Sequence, residues 1–225
     1  APLSELRPRI DPSVIAHGTM LALGLTFGLL TLAMSYHLMN IMFIAGRALA
    51  LPVGMVLAAC LSYASVLYLN IVETTSNGLT TVENALDGGW QEWFWTLPNT
   101  VGMVIVAALA SWGVTALIPG HAVTVTIAVA TIVYPIAQLS SLENASLSPI
   151  SWPVIRTLMT RPLAWWMFFA ASAMLFTGIT ALGRFAWRDP PYVTMLVMGP
   201  AATLTLLIYG WLLGTLARAL TGSRK

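Results

Sequence analysis

The chain has 225 residues, of which 58% are hydrophobic and 8% charged, with a formal net charge of +2. Soluble domains carry about 25% charged residues, so this composition excludes a fold that covers its own surface in water. The basic residues are scattered and there is one cysteine, Cys60, which excludes a nucleic-acid-binding patch and an internal disulfide.

The opening stretch APLSELRPRIDPS contains three prolines and four charges. Residues 1–12 read as a linker, since a signal peptide would place a basic region before a short apolar core. Runs without Asp, Glu, Lys or Arg then cover 12–46, 48–72, 93–142, 162–183 and 190–217. Each reaches the roughly 20 apolar residues that cross a bilayer as helix. A backbone in lipid must satisfy its own hydrogen bonds, so helices or closed barrels are the choices. MLALGLTFGLLTLAM (20–34) lacks the alternation of a barrel strand. The expectation is an all-α membrane protein with six transmembrane helices in residues 13–220 and a short tail at 221–225.

The first helix is predicted at 14–44. Gly24-x-x-x-Gly28 makes a flat strip for another helix, expected within the same bundle. His17 falls near the expected membrane boundary. His37 and Asn40 share a face toward the other end, beside Tyr36. Polar groups in such a helix are costly and each carries a functional hypothesis. Here that is a proton relay or ligand contact, against a hydrogen-bonded packing pair or interfacial residues. Gly46, Arg47 and Leu51-Pro52 mark a turn into a second helix at 50–72, where Asn70 and Glu73 share a face.

Residues 73–96 form an acidic loop with Glu73, Glu83, Asp87 and Glu92, and close on Trp90, Trp93, Phe94 and Trp95. Tryptophan collects at membrane interfaces because its ring is apolar with one polar edge. Trp90, Glu92, Trp93 and Trp95 therefore read as an anchoring belt or as a partner-binding surface. The next run is too long for one span, and IPGH (118–121) divides it into helices at 97–117 and 122–140. Gln138 and Glu143 occupy a place like that of Asn70 and Glu73. If the two carboxylates met at one mouth of the bundle, they could bind a cation or hold a proton; otherwise each borders a helix end in water.

A second long loop follows at 141–162. Its SWPVIRTLMTRP segment puts Trp152, Ile155, Leu158 and Met159 at helical spacing, as in an amphipathic surface helix. Trp165 and Trp166 open the fifth span, at 163–183, and join the anchoring or partner-binding group. GRFAWRDPP breaks the chain before the sixth span, at 192–217, which carries Gly210-x-x-x-Gly214. Pro135 and Pro200 are expected to kink their helices.

With the N-terminus inside, seven basic residues (Arg7, Arg9, Arg156, Arg161, Arg218, Arg224, Lys225) face the cytoplasm and three (Arg47, Arg184, Arg188) face out. This bias predicts both termini cytoplasmic. The long loops then lie inside, and each begins with a related signature, ETTS at 73–76 and ENAS at 143–146. The arrangement reads as three helical hairpins in series. The three histidines lack the i, i+4 spacing of a helical metal pair, and no nucleophile elbow, phosphate loop or His-Glu-x-x-His is present. No catalytic, cofactor-binding or metal-ligating residue is assigned.

Trp90-Gln91-Glu92-Trp93, Leu139 to Glu143, Arg161-Pro162 and Tyr209 to Leu216 carry a resemblance. Over roughly residues 65–220 the chain resembles a family of polytopic bacterial membrane proteins, abundant in planctomycetes and of unknown function. The resemblance implies the same architecture in a bacterial cytoplasmic membrane, and a membrane part that can follow soluble modules. It implies no activity.

The residues point first to a non-catalytic membrane anchor, scaffold or partner-binding subunit. Its partners would be the lipid bilayer and a protein at cytoplasmic loops 73–96 and 141–162, with no nucleic acid. The alternative is a small-solute transporter or permease subunit.

Overall fold

A computed structural model describes residues 12–79, 90–117, 122–144, 146, 148–186 and 191–221. The described residues form helices only: α1 (Pro12–Ile41), α2 (Phe43–Ser76), α3 (Trp90–Leu117), α4 (Ala122–Asn144), α5 (Trp152–Thr160), α6 (Pro162–Ala186) and α7 (Pro191–Thr221). All but α5 are long and apolar enough to span a membrane. This is an integral membrane protein in its architecture: six candidate spans and one short helix beside them.

Several boundaries differ from those expected. The first turn falls at Met42, with φ −135° and ψ 87°, and not at Gly46–Leu51. Pro52 sits inside α2, which runs on to Ser76. WQEWFW is the first part of α3, with Pro98 inside that helix, so the preceding loop is shorter than 73–96. LSSLEN likewise extends α4 to Asn144. Proline ends a helix in water because it removes a hydrogen bond. In a bundle buried in lipid, neighbouring groups and local adjustment satisfy the freed carbonyl, so the helix continues. Residues 80–89 and the IPGH segment lie outside the described residues.

Several hydroxyls of the spans bond within their own helix. Thr26 donates to the Ala22 carbonyl at 2.7 Å, Ser62 to Ala58 at 2.8 Å, Ser65 to Leu61 at 2.9 Å and Thr131 to Ile127 at 2.7 Å. Back-bonding of this kind lets a polar residue sit in an apolar helix without a partner elsewhere.

α1, α2 and α7 pack against one another, α6 packs on α7, and α3 pairs with α4 and touches α2. Both glycine strips serve internal contacts. Gly24 and Gly28 lie against Cys60 and Leu57 of α2, and Gly210 and Gly214 against Tyr68, Ile71, Val72 and Thr75 of the same helix. A Cβ at Gly214 would stand 2.7 Å from the Val72 carbonyl oxygen, so α7 approaches α2 at backbone distance there. Lipid tails give no hydrophobic drive between helices, and close packing of small residues supplies the attraction instead.

These contacts fix the register. α2 and α7 run parallel, with Tyr68 beside Tyr209 and Gly78 beside the Arg218 side chain. α6 and α7 run antiparallel. Thr194 donates to the Ala186 carbonyl at 2.6 Å at one end, and the Arg161 guanidinium reaches the Ala219 carbonyl at the other. Arg161 and Arg218 thus mark one level of the bundle and Arg184 another. At 1.5 Å per residue along α7 the two levels are about 30 Å apart, the thickness of a hydrocarbon core. The level of Arg161 and Arg218 is the side where α5 lies.

Candidate functional site

Tyr209 of α7 stands where α2, α4, α6 and α7 meet. Its ring stacks on Tyr68 at 6.4 Å and meets Tyr134 at 5.8 Å, Phe168 at 5.7 Å and Phe176 at 5.6 Å. Phe169 extends the cluster to Trp165 at 5.5 Å. The spacing of 168 and 176 on α6 dictates this arrangement, because residues eight apart return to one helix face. Ser172 lies between them on that face.

The junction is unusual in its polar content. Gln138 is 0% exposed, and among the described residues neither its amide nitrogen nor its amide oxygen has a hydrogen-bond partner. The hydroxyls of Ser140 and Ser172 are also enclosed without a protein partner. The Tyr68 hydroxyl sits close to that of Tyr134 without meeting the geometry of a hydrogen bond. Gln138 is one helical turn from Tyr134, on the same face of α4 and nearer the α5 side. One turn further, the Ser141 hydroxyl has two acceptors for its one proton, the Ser146 carbonyl at 2.7 Å and Asn99 Oδ1 at 2.9 Å.

The other expected residues separate. Glu143 accepts from the Ser151 hydroxyl at 3.0 Å, which ties the end of α4 to the start of α5. Glu73 is exposed in the last turn of α2, where its carbonyl accepts from the Asn77 amide at 3.0 Å, and Asn70 is half-buried one turn before. Both carboxylates therefore border helix ends at the surface. His37 is exposed on the far end of α1, on a stretch that runs about 10 Å past the first turn of α7. The Asn40 side chain lies outside the described residues, as do those of Trp90, Glu92, Trp93 and Trp95.

The structure divides the remaining tryptophans. Trp165 is 1% exposed and its indole N–H donates to Thr157 Oγ1 at 3.0 Å, which pins α5 to α6. Trp166 and Trp152 are 71% and 72% exposed. Adjacent residues on a helix point about 100° apart, which is why Trp165 and Trp166 part company. On α5, Val154 faces the bundle with Ile155 and Leu158 partly covered, whereas Trp152, Arg156 and Met159 face out.

His17 is placed differently from expectation. Its Nδ1 lies 2.7 Å from the Tyr63 hydroxyl of α2. The next residue, Gly18, packs on Leu207, midway between the arginine levels of α7. The sequence suggests a boundary position because His17 is near the start of a long helix; but α1 begins at Pro12, about 9 Å along the axis from Gly18 and short of the Arg218 level, and its other end overhangs the far side.

Tyr63, Tyr68, Tyr134, Tyr209, Ser140 and Ser172 were not among the sequence candidates. A faint signal exists in the pairing of Tyr134 with Gln138 and of Phe168 with Ser172, each four apart. Among the described residues no three His, Cys, Asp or Glu side chains come together. Comparison with protein-family models, with curated proteins and with solved structures yields no match.

Proposed function

We propose that this chain is a non-catalytic membrane scaffold that holds a partner-facing platform on its α5 side. The supporting observation is the filled junction at Tyr209: four rings from α2, α4 and α6 surround it at 5.6–6.4 Å. Packed rings at a four-helix crossing favour a closed bundle. α5 is pinned to that bundle through Trp165 and Ser151 and presents Trp152, Arg156 and Met159 outward. In this reading the spans form three hairpins with both termini cytoplasmic, and the platform lies at the inner surface of a bacterial cytoplasmic membrane. Membership of the planctomycete-rich family belongs to the same proposal. The platform takes in residues 73–96 and 141–162, which include the ends of α2 and α4, the start of α3 and the whole of α5.

The test has two arms. Proteoliposomes challenged with a panel of neutral and charged osmolytes should swell no faster than protein-free vesicles. In native membranes, a photo-crosslinker at position 152 should give one discrete protein adduct, while one at lipid-facing Val104 should give none. Saturable flux, or identical adducts at both positions, would overturn the scaffold reading.

The second reading is a permease subunit, and one observation favours it: the His17–Tyr63 pair at mid-depth. Ionisable groups at that depth commonly serve substrate or proton pathways. Under this reading flux appears in the first arm and falls in His17→Phe.

A further inference from the structure

The Gln138 carboxamide carries two donors and an acceptor, and all are sealed from the surface without a partner among the described residues. Burying an amide with no hydrogen bond is costly. In native proteins such groups are satisfied by protein or by ordered water. A second protein cannot reach a side chain with no accessible surface, so the occupant must be small enough to enter the core.

The surroundings narrow its chemistry. The Tyr68 hydroxyl is enclosed and lies close to that of Tyr134 in the same ring cluster, and Tyr134 is one turn from Gln138. Ser172 adds another unpaired hydroxyl on the α6 face that meets Tyr209. These groups are neutral and include both donors and acceptors. That set suits neither a cation nor an anion. A buried water typically makes about three hydrogen bonds to such groups.

Polar side chains also continue from Gln138 to the α5 side of the bundle. From Gln138 toward the α5 side come Ser141 with Asn99 and Ser146, then Glu143 with Ser151. On the other side stand Tyr209 and its four ring neighbours. We propose that Gln138, with Tyr68, forms an internal hydration site that holds one or a few water molecules, reached from the α5 side and stopped by Tyr209. The proposal does not depend on the scaffold or the permease reading, because a closed bundle and a gated one would both hold this water.

X-ray radiolytic labelling in nanodiscs tests it, since hydroxyl radicals made from bound water oxidise enclosed neighbours. In the parent protein equilibrated with oxygen-18 water, Tyr68 should acquire labelled oxygen although it is buried. In Gln138→Leu and Gln138→Met, which keep the bulk and remove the donors and acceptor, labelling at Tyr68 should fall roughly threefold or more as the water loses its main partner. Tyr36, exposed on α1, should label equally in all three. Background labelling of Tyr68 in the parent overturns the proposal even if neither variant folds. Unchanged labelling in a folded variant also overturns it.

Discussion

At the scale of single residues, the backbone contacts of α7 set the tightest constraint. Gly214 faces the Val72 carbonyl oxygen and Thr75, and a carbonyl in a helix cannot step aside. Gly214→Ala should therefore force α7 off α2 and destabilise the protein by about 1–3 kcal/mol, the usual cost of overpacking. Gly54→Ala, where the new methyl meets nothing within 4 Å, should leave the melting midpoint in detergent unchanged or raised. Equal midpoints for both variants would show that the α2–α7 approach is looser than this. Gly78 is a different case: its φ of +73° is left-handed backbone after the end of α2, with the Arg218 guanidinium against it. A glycine there ends the helix at no steric cost. For the mid-depth pair, Tyr63→Phe removes the hydroxyl that His17 meets at 2.7 Å. Side-chain hydrogen bonds between membrane helices average about 0.6 kcal/mol and reach about 1.7 kcal/mol. A loss within that span, read by reversible unfolding in mixed micelles, is expected. No loss would show that the pair stabilises nothing.

At the scale of elements, the attachment of α5 hangs on two side-chain hydrogen bonds. It is nine residues long, too short to be a stable helix by itself. Trp165 to Thr157 and Ser151 to Glu143 hold it on α6 and α4. Thr157→Val keeps the shape but strands the indole N–H in the core, which costs about 1–3 kcal/mol. Amide exchange should then accelerate across 152–160 with little change in α1, and Thr157→Ser should restore protection. Exchange that stays slow in the valine variant would mean that packing of Val154 and Leu158 alone retains the helix. This element was legible in the sequence because its amphipathic period is clear, and the six spans were legible because each is a long run without charge. Helix ends were less so: Pro52 and Pro98 look like boundaries in a sequence, yet both lie inside continuous helices. The Tyr209 junction was hidden for a related reason. A span that is apolar all round gives no sign of which face is inward, so nothing in the sequence tells that Gln138 and Ser172 turn to the core while Trp166 turns away.

At the scale of the whole molecule, the distribution of arginines gives the bundle a direction. Among the described residues, Arg156, Arg161 and Arg218 lie toward α5, while Arg47 and Arg184 lie toward the opposite side. In the orientation proposed from the positive-inside rule, the α5 side faces the cytoplasm and an even number of spans brings both ends of the bundle to that side. Cys60 is the sole cysteine, so replacing it with alanine gives a blank background for labelling. In that background Met159→Cys, on the outer surface of α5, should resist a membrane-impermeant maleimide in intact cells and react once the membrane is opened. Tyr36→Cys, exposed on the overhanging end of α1, should show the opposite order and react in intact cells. Exchange of the two patterns would invert the molecule and put the platform outside. Reaction of both sites in intact cells would be worse for the assignment, because α5 and the overhang would then share one side. The register of α1 against α7 argues against that outcome: Gly18 meets Leu207 and Thr26 meets Gly199, so α1 ascends as α7 descends and its far end leaves the bundle opposite α5.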